Sequence, residues 1–308
     1  MEWIAADAAS VRVLELAHKV AATGTTVLIT GESGTGKDLL ARLIHERSPR
    51  RDAPFLKIDC ASLPAELVES ELFGHERGAF TGAVERKLGR LEMARGGAIV
   101  LDEVAALAAA VQSKLLRVLE ERTFSRLGGT ETLRVDARLM ALTNADLARA
   151  VAAGRFREDL YFRLNVVTLT VPPLRDRPAD IVPLAEHWLE RLATVHGRDG
   201  VAFDSSAERL LTAYAWPGNI REMKNAIERA LVFSKDPKLR APDFPEAARA
   251  AAGSAGAVPA GLHSLAALEK EAIRATLEAT RYKIARSAEI LGITRKTLLD
   301  KRKKYGLD

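Results

Sequence analysis

Short apolar runs alternate with longer stretches whose apolar residues recur every third or fourth position. Val27, Leu28 and Ile29 form the first run; a glycine-rich turn follows, and then Leu39, Leu40, Leu43 and Ile44 line one face of a helix. Further strands are predicted over Phe55 to Ile58, Ala98 to Leu101, Leu139 to Leu142 and Val166 to Leu169, with intervals long enough for helices. Strands spaced in this way pair in parallel, because parallel neighbours need a long crossover. The pattern predicts an α/β fold with a parallel sheet core.

Beyond Pro172-Pro173 the pattern turns helical, through Ile181 to Val195, Ser206 to Tyr214 and Asn219 to Phe233, as in a small helical lid beside a sheet. From Pro237 to Gly261 alanine, proline and glycine dominate and periodicity fades, as in a linker. A helical stripe of Leu265, Leu268, Ala272, Thr276 and Leu277 then precedes two short predicted helices, Ile284 to Leu291 and Thr294 to Lys304, that meet at Gly292. Thr294 stands where it can cap the second. Neither helix can bury a core alone, so Leu268, Ile273, Leu277, Ala288, Leu291 and Leu298 are expected to share one. The expected organisation is an α/β domain over 1–171, a helical lid over 172–236, a linker over 237–261 and a small all-α helix-turn-helix domain over 262–308.

Of the 308 residues 47% are hydrophobic, and glycine (21) and proline (12) are ordinary in number, which excludes disorder or a collagen-like chain for the bulk. One cysteine, Cys60, permits neither an intrachain disulfide nor a cysteine-rich zinc module, so a reducing, cytoplasmic setting is expected. No charged leader with an apolar run begins at Met1, and no apolar stretch reaches the length of a membrane span, so secretion and a membrane partner are not expected. Charge is concentrated near the carboxyl end. Between Arg281 and Lys304 nine basic residues face only Glu289 and Asp300, a local +7 in a chain of net charge +5. Such a field attracts phosphate backbones, although a solvated helix surface has the same composition.

The glycine-rich turn reads Gly31-Glu32-Ser33-Gly34-Thr35-Gly36-Lys37. Small residues let consecutive backbone amides face phosphate, Lys37 adds a mobile positive charge, and the following helix presents its positive end. The usual pattern closes on Ser or Thr, whose hydroxyl reaches Mg²⁺; here Asp38 stands instead. The run Gly96-Gly97-Ala98-Ile99-Val100-Leu101-Asp102-Glu103 ends a strand in two acids. Asp102, and Asp38 beside the phosphate loop, are the candidate Mg²⁺ residues, and Glu103 is placed to orient a water toward the γ-phosphate of ATP. Asn144, at the end of another strand, either senses that phosphate or caps the helix beginning at Ala145 or Asp146.

Between the two halves of this site lies Glu71-Leu72-Phe73-Gly74-His75-Glu76-Arg77-Gly78-Ala79-Phe80-Thr81-Gly82-Ala83, with one aromatic among small residues, as in a loop tip that touches another molecule. Here the chain strongly resembles the bacterial enhancer-binding activators of sigma-54 RNA polymerase, whose hallmark is the hexapeptide Gly78 to Ala83. Other segments of the resemblance follow in order: Gly154 to Leu164, Pro172 to Arg177, and Trp216-Pro217-Gly218-Asn219-Ile220-Arg221-Glu222. It covers nearly the whole chain. It implies an AAA+ P-loop ATPase that takes ATP and Mg²⁺, self-associates into a ring, usually a hexamer, and contacts sigma-54 through Gly78, Ala79, Phe80, Thr81, Gly82 and Ala83. By the same resemblance Arg157 and Arg163 fall in the arginine-finger region and Arg221 matches the lid's sensor arginine. Read without it, Arg157 and Arg163 are surface residues beside Glu158 and Asp159, and Arg221 pairs with Glu222 or Glu228. A second surface loop is expected near Gly128-Gly129, where a simple turn is the plainer reading.

Two positions depart from the family pattern within this domain. Asp59 replaces the asparagine that usually holds the catalytic glutamate, and a carboxylate cannot donate an amide hydrogen to Glu103. Asp38 replaces a glutamate, a shorter acid in the same place. The carboxyl end, from Ala288 to Leu298 and on through Lys301-Arg302-Lys303-Lys304, resembles the Fis-type helix-turn-helix, with Lys283 where relatives often carry asparagine. Arg295, Lys296 and Thr297 then lie in the first turn of a recognition helix and face bases, while Lys301 and Arg302 suit phosphate contacts with enhancer DNA. Two other classes fit parts of the chain. A DNA-binding regulator that keeps the ring without remodelling sigma-54 is opposed by the intact hexapeptide, and a chaperone-like ATPase by the basic tail. The chain starts almost directly at the ATPase domain, with no room for a receiver before Val27, which leaves regulation by a separate protein and a shortened chain both open.

Overall fold

The computed structural model describes residues 3–306 apart from 247, 250–272, 275, 278, 279 and 281. Two units cluster separately, Met1–Ala252 and Gly253–Asp308. The first is built on a five-stranded sheet in the order β2-β5-β8-β1-β9. Its strands are β1 (Val27–Thr30), β2 (Phe55–Asp59), β5 (Ala98–Asp102), β8 (Arg138–Thr143) and β9 (Val167–Thr170), all paired in parallel. Each expected strand is present, its ends within one residue of those expected. Two short hairpins project from this frame, β3 (Gly74–His75) with β4 (Lys87–Leu88), and β6 (Thr123–Phe124) with β7 (Leu133–Arg134).

Helices cover both faces of the sheet, as a parallel sheet requires. They are α1 (Ala8–Ala21), α2 (Lys37–Glu46), α3 (Ala65–Phe73), α4 (Arg90–Met93), α5 (Ala109–Glu121), α6 (Leu147–Ala152) and α7 (Glu158–Leu164). One core, containing Ile99, Leu101, Leu115, Leu139 and Leu160, fills one side; Val27, Ile29, Leu40, Ile44 and Val100 fill the other. Alternate residues of β5 therefore point to opposite cores, which places both acids at its carboxyl end beyond the packed region.

The lid comprises α8 (Ile181–Val195), α9 (Ser205–Ala213) and α10 (Asn219–Phe233) around a core centred on the fully buried Trp216. Two of these helices match the expected limits exactly as read. The linker expected from residue 237 differs: β10 (Ala202–Phe203) pairs with β11 (Lys238–Leu239), and Leu239, Phe244 and Ala248 are buried in the lid core. Alanine and proline hide these few anchoring apolar residues from a periodicity reading. Residues 250–261 of that linker, and Leu265, Leu268 and Ala272 of the stripe, lie outside the described residues.

In the second unit, α11 (Ile284–Ile290) and α12 (Arg295–Tyr305) flank Gly292, whose φ is 63°. The Thr294 hydroxyl caps α12 by accepting from the Thr297 amide at 3.1 Å. Ile273, Leu277, Ala288 and Leu298 form the core, with Leu291 against it. Among the described residues no helix is long and apolar enough to cross a membrane.

Candidate functional site

The turn from Gly31 to Gly36 joins β1 to α2, and its three glycines have positive φ. The requirement is clearest at Gly34, where a Cβ would stand 2.4 Å from the carbonyl oxygen of Gly218 in the lid. Lys37 reaches back across the loop, its ammonium donating to the carbonyls of Gly31 at 2.8 Å and Glu32 at 3.0 Å. Burial lowers its pKa, and the nearby Glu103, Asp102 and Asp38 oppose that effect. The expected phosphate-loop residues thus form one turn between β1 and α2, with the Lys37 ammonium held across it by two of its carbonyls.

The acids meet this loop from the sheet edge. Glu103 takes a left-handed backbone, φ 52°, and its carboxylate accepts the Asn144 amide at 3.1 Å. Asp102 accepts the Glu103 amide through Oδ1 at 3.0 Å, while its Oδ2 lies 2.7 Å from the ammonium of Lys57. That ammonium also lies 2.5 Å from Asp38 Oδ1. Burial pulls the Lys57 pKa down, but the bonds to Asp102 and Asp38 outweigh it and hold the pKa above the usual lysine value. Two carboxylates from different elements therefore converge on one positive group. Among the described residues no set of three or more acidic, histidine or cysteine side chains gathers to hold a metal. Asp38 and Asp102 nevertheless both line the cleft, and two carboxylates fit a hard divalent cation that keeps water and phosphate as its other ligands.

The lid closes the cleft from above. Ile220 donates its amide to the Gly34 carbonyl at 3.0 Å, and Arg221 donates to Ser33 Oγ at 2.7 Å. Arg221 thus turns to the phosphate loop; Glu222 instead accepts from Tyr214 and the Gly218 amide, and Glu228 faces His196. Glu32 accepts a two-pronged contact from Arg175 at 2.6 and 2.9 Å and a bond from Asn219 at 3.2 Å, and the Arg175 bond leads in lowering its pKa to about 2. Deeper in, buried Arg177 donates to the Thr35 carbonyl at 2.7 Å and faces Asp180, which accepts the amides of Ala6 and Asp7. The resulting cavity, about 580 Å³, is lined by Trp3, Ile4, Phe55, Leu184, Trp188 and Ile220 on its apolar side and by Lys37, Asp38, Asp102, Glu103 and Arg221 on its polar side. A base-sized apolar wall beside a charged end suits a nucleotide.

The other expected residues take the following places. Asn144 does not cap the next helix: Asp146 does, accepting the Arg149 amide at 3.1 Å, and Asn144 serves the cleft through its backbone. Asp59 does not engage Glu103; its carboxylate accepts the amides of Ala61 and Ser62 at 3.0 and 3.1 Å in a local turn. Arg157 and Arg163 do not line the cleft of their own chain; they are exposed on the α7 segment, paired with Asp159 at 2.7 Å and Glu120 at 3.1 Å. Sequence reasoning missed Lys57, Arg175, Arg177, Asn219 and Trp3. A lysine inside an apolar parallel strand was the available signal for the first, since such strands read as continuous hydrophobic runs.

The hexapeptide forms the turn between β3 and β4. Gly78 and Gly82 have φ of 81° and 105°, and the Gly78 amide donates to the Ala83 carbonyl at 2.8 Å, closing a loop that carries Phe80 at 42% exposure. The Phe80 ring meets His75 edge-on, 5.0 Å between centroids. The second expected loop, between β6 and β7, packs on the first: a Cβ at Gly128 would stand 2.9 Å from the Ala79 Cβ. Arg126, with a side chain only 4% exposed, pairs with Glu76, Glu92 and Glu131 and so ties both loops to the α4 region. On α12, Arg295 and Lys296 are exposed, Thr297 is half-buried in the cap, and Lys301 and Arg302 are half-buried, Arg302 lying 6.0 Å from the Tyr282 ring.

A phosphate loop on a parallel sheet, a helical lid closing it and a two-helix unit beyond define a P-loop ATPase joined to a helix-turn-helix module. The sequence matches the sigma-54 interaction domain over residues 3–170, the AAA+ ATPase lid domain over 175–259 and the bacterial regulatory protein, Fis family, over 264–305. The chain belongs to the sigma-54-dependent activator family. Regulatory protein AtoC of Escherichia coli (strain K12) is 47% identical over 297 residues, 94% of this chain and 64% of AtoC. Transcriptional regulatory protein FlbD of Caulobacter vibrioides is 42% identical, over 97% of this chain and 69% of FlbD. The crystal structure of NtrX from Brucella abortus in complex with ATP aligns with a TM-score of 0.75 at 36% identity, covering 100% of this chain and 70% of that one. The chain thus spans only part of these relatives' length.

Proposed function

We propose that this chain hydrolyses ATP as its Mg²⁺ complex within a ring of subunits, a hexamer as in its family, and uses the turnover to open promoters held closed by sigma-54 RNA polymerase. The C-terminal unit would hold enhancer DNA. One observation carries the reading: a nucleotide-sized cleft at the sheet edge and an exposed Phe80 on its glycine-hinged loop occur in one unit, the loop lying in the connection between β2 and β5 of that sheet. The domain limits follow, with the ATPase core to residue 171, the lid beyond it and the DNA-binding unit from 262.

In this reading the loop amides and Lys37 receive the phosphates once the ammonium leaves the Gly31 and Glu32 carbonyls. Asp102 and Asp38 are the residues that would hold Mg²⁺, which when bound offsets phosphate charge. Glu103, steadied by the Asn144 amide, orients the attacking water and accepts its proton. Arg221 adds a lid cation, so lid position and phosphate state are coupled. Arg157 and Arg163 reach the nucleotide of a neighbouring subunit, exchanging Asp159 and Glu120 for phosphoryl oxygens. The loops bearing Phe80 and Gly128 then differ between nucleotide states, and that difference is what the polymerase feels.

The test is open-complex formation by sigma-54 holoenzyme on a promoter with bound enhancer. Opening should require ATP, fail with a non-hydrolysable analogue, and fail with Phe80→Ala while ATP turnover persists. Turnover with the holoenzyme unbound and the promoter closed in every nucleotide state would overturn the proposal.

A further inference from the structure

The ammonium of Lys57 sits between the two carboxylates assigned to the divalent cation. It lies 2.5 Å from Asp38 Oδ1 and 2.7 Å from Asp102 Oδ2. Lys37 does not do this work, because its ammonium is engaged with the Gly31 and Glu32 carbonyls. Asp38 belongs to the first turn of α2 and Asp102 to the end of β5, so without a shared positive group two anionic oxygens would face each other across the cleft. Lys57 stands on β2, beside β5, opposite Val100 in register, and only its four-carbon stem brings the charge to that edge. Its side chain is 36% exposed, so the ammonium has a route to water.

We infer that Lys57 is a built-in monovalent counter-ion for the nucleotide's cation site: it occupies the point between Asp38 and Asp102 when nucleotide is absent and must leave that point for a divalent ion to be held there. The inference rests on the reading of the cleft as a Mg²⁺–nucleotide site. Lys57 is a positioning residue in this scheme. It keeps the two acids parked and compatible with the phosphate loop, and it raises the divalent concentration at which nucleotide is retained. Half-exposed ion pairs are weak, each worth at most about a fivefold factor, so the competition costs the divalent ion roughly three- to tenfold in affinity. A released ammonium on a flexible stem remains near the cleft, where it can follow the phosphate charge.

The experiment titrates Mn²⁺ by electron paramagnetic resonance into the full chain with saturating ADP. Lys57→Met, which keeps the stem and removes the charge, should bind Mn²⁺ about three- to tenfold more tightly than wild type. In EDTA the same variant should bind ADP more weakly, because the acids then face phosphate uncompensated. Lys57→Arg should stay near wild type, and Lys57→Gln repeats the first test should the methionine variant fold poorly. Unchanged or weaker Mn²⁺ binding in the neutral variants overturns the inference. Asp102→Asn separates the two levels: if it leaves Mn²⁺ affinity intact, the cation-site reading itself fails, whereas weakened binding there with neutral Lys57 variants unchanged removes only the counter-ion role.

Discussion

At the scale of single residues, the cleft is governed by which carboxylate finds which donor. Glu32 is the clearest case. Arg175 and Asn219 hold its carboxyl at about 2, below the unfolded value of 4.5, so the ion pair's stabilisation is complete above pH 4.5 and disappears as pH falls through about 2. Because the pair is nearly half exposed, its contribution is about 0.5–1 kcal/mol. Glu32→Gln should lower the unfolding free energy from urea titration at pH 7 by that amount, and the gap from wild type should start to close below pH 4.5; a gap independent of pH would show that Arg175 works through packing alone. Asp59 makes a second case. Its carboxylate accepts the Ala61 and Ser62 amides, so no bond from it restrains Glu103, whereas an asparagine there could accept the same amides and still offer Glu103 an N–H. Asp59→Asn should therefore alter the stimulation of ATP turnover by sigma-54 more than it alters ATP affinity, which filter binding and a coupled ATPase assay measure side by side. These assignments mark the limit of sequence reading. Lys37, Asp102 and Glu103 were legible from residue type and spacing, but Glu32's partner lies 143 positions away, and neither charge nor periodicity announces a pair formed only when the lid folds down.

At the scale of elements, legibility follows burial. The five strands and the lid helices could be placed because each owes its existence to a face packed in the core, and that face is written as period two or period 3.6. Junctions are different. The segment after residue 237 packs through three apolar residues spread among small ones, and α6 takes its cap from Asp146 rather than Asn144 because only the former precedes the helix at the right phase. The contact between phosphate loop and lid is another junction, and it depends on an atom that is absent. Gly34 has φ 78° and faces the Gly218 carbonyl so closely that a methyl group cannot enter without moving backbone. Gly34→Ala should cost about 1–3 kcal/mol through the unfavourable φ and the displaced lid, and should weaken ADP binding because Ile220 and Arg221 are carried away with α10. Thermal unfolding with and without ADP checks both parts. A variant as stable as wild type, with unchanged ADP stabilisation, would mean that the lid does not need this contact.

At the scale of the whole molecule, charge divides the chain as cleanly as packing does. The local +7 between Arg281 and Lys304 falls in the second unit, while the rest of the chain is slightly acidic. Attraction to DNA is thereby confined to one module, and the nucleotide cleft keeps its own balance of acids and bases. A single helix-turn-helix touches a short stretch of duplex, so two copies on a palindromic site gain affinity through effective concentration rather than through new contacts. Within each copy the residues divide by task. Arg295 and Lys296 are exposed in the first turn of a capped helix and Lys301 lies a turn and more further along; on the proposed DNA-binding reading the first two would read base edges and Lys301 would meet phosphate. Lys301→Ala should weaken binding to specific and random duplexes alike and reduce the slope of log affinity against log salt by about 1 per module. Arg295→Ala should instead leave that slope nearer the wild-type value when judged per phosphate contact and lower the ratio of specific to random binding, by roughly the 1–3 kcal/mol of a lost base contact. Fluorescence anisotropy of the full chain over a series of salt concentrations distinguishes the two, and equal loss of specificity in both variants would place the reading face elsewhere on α12.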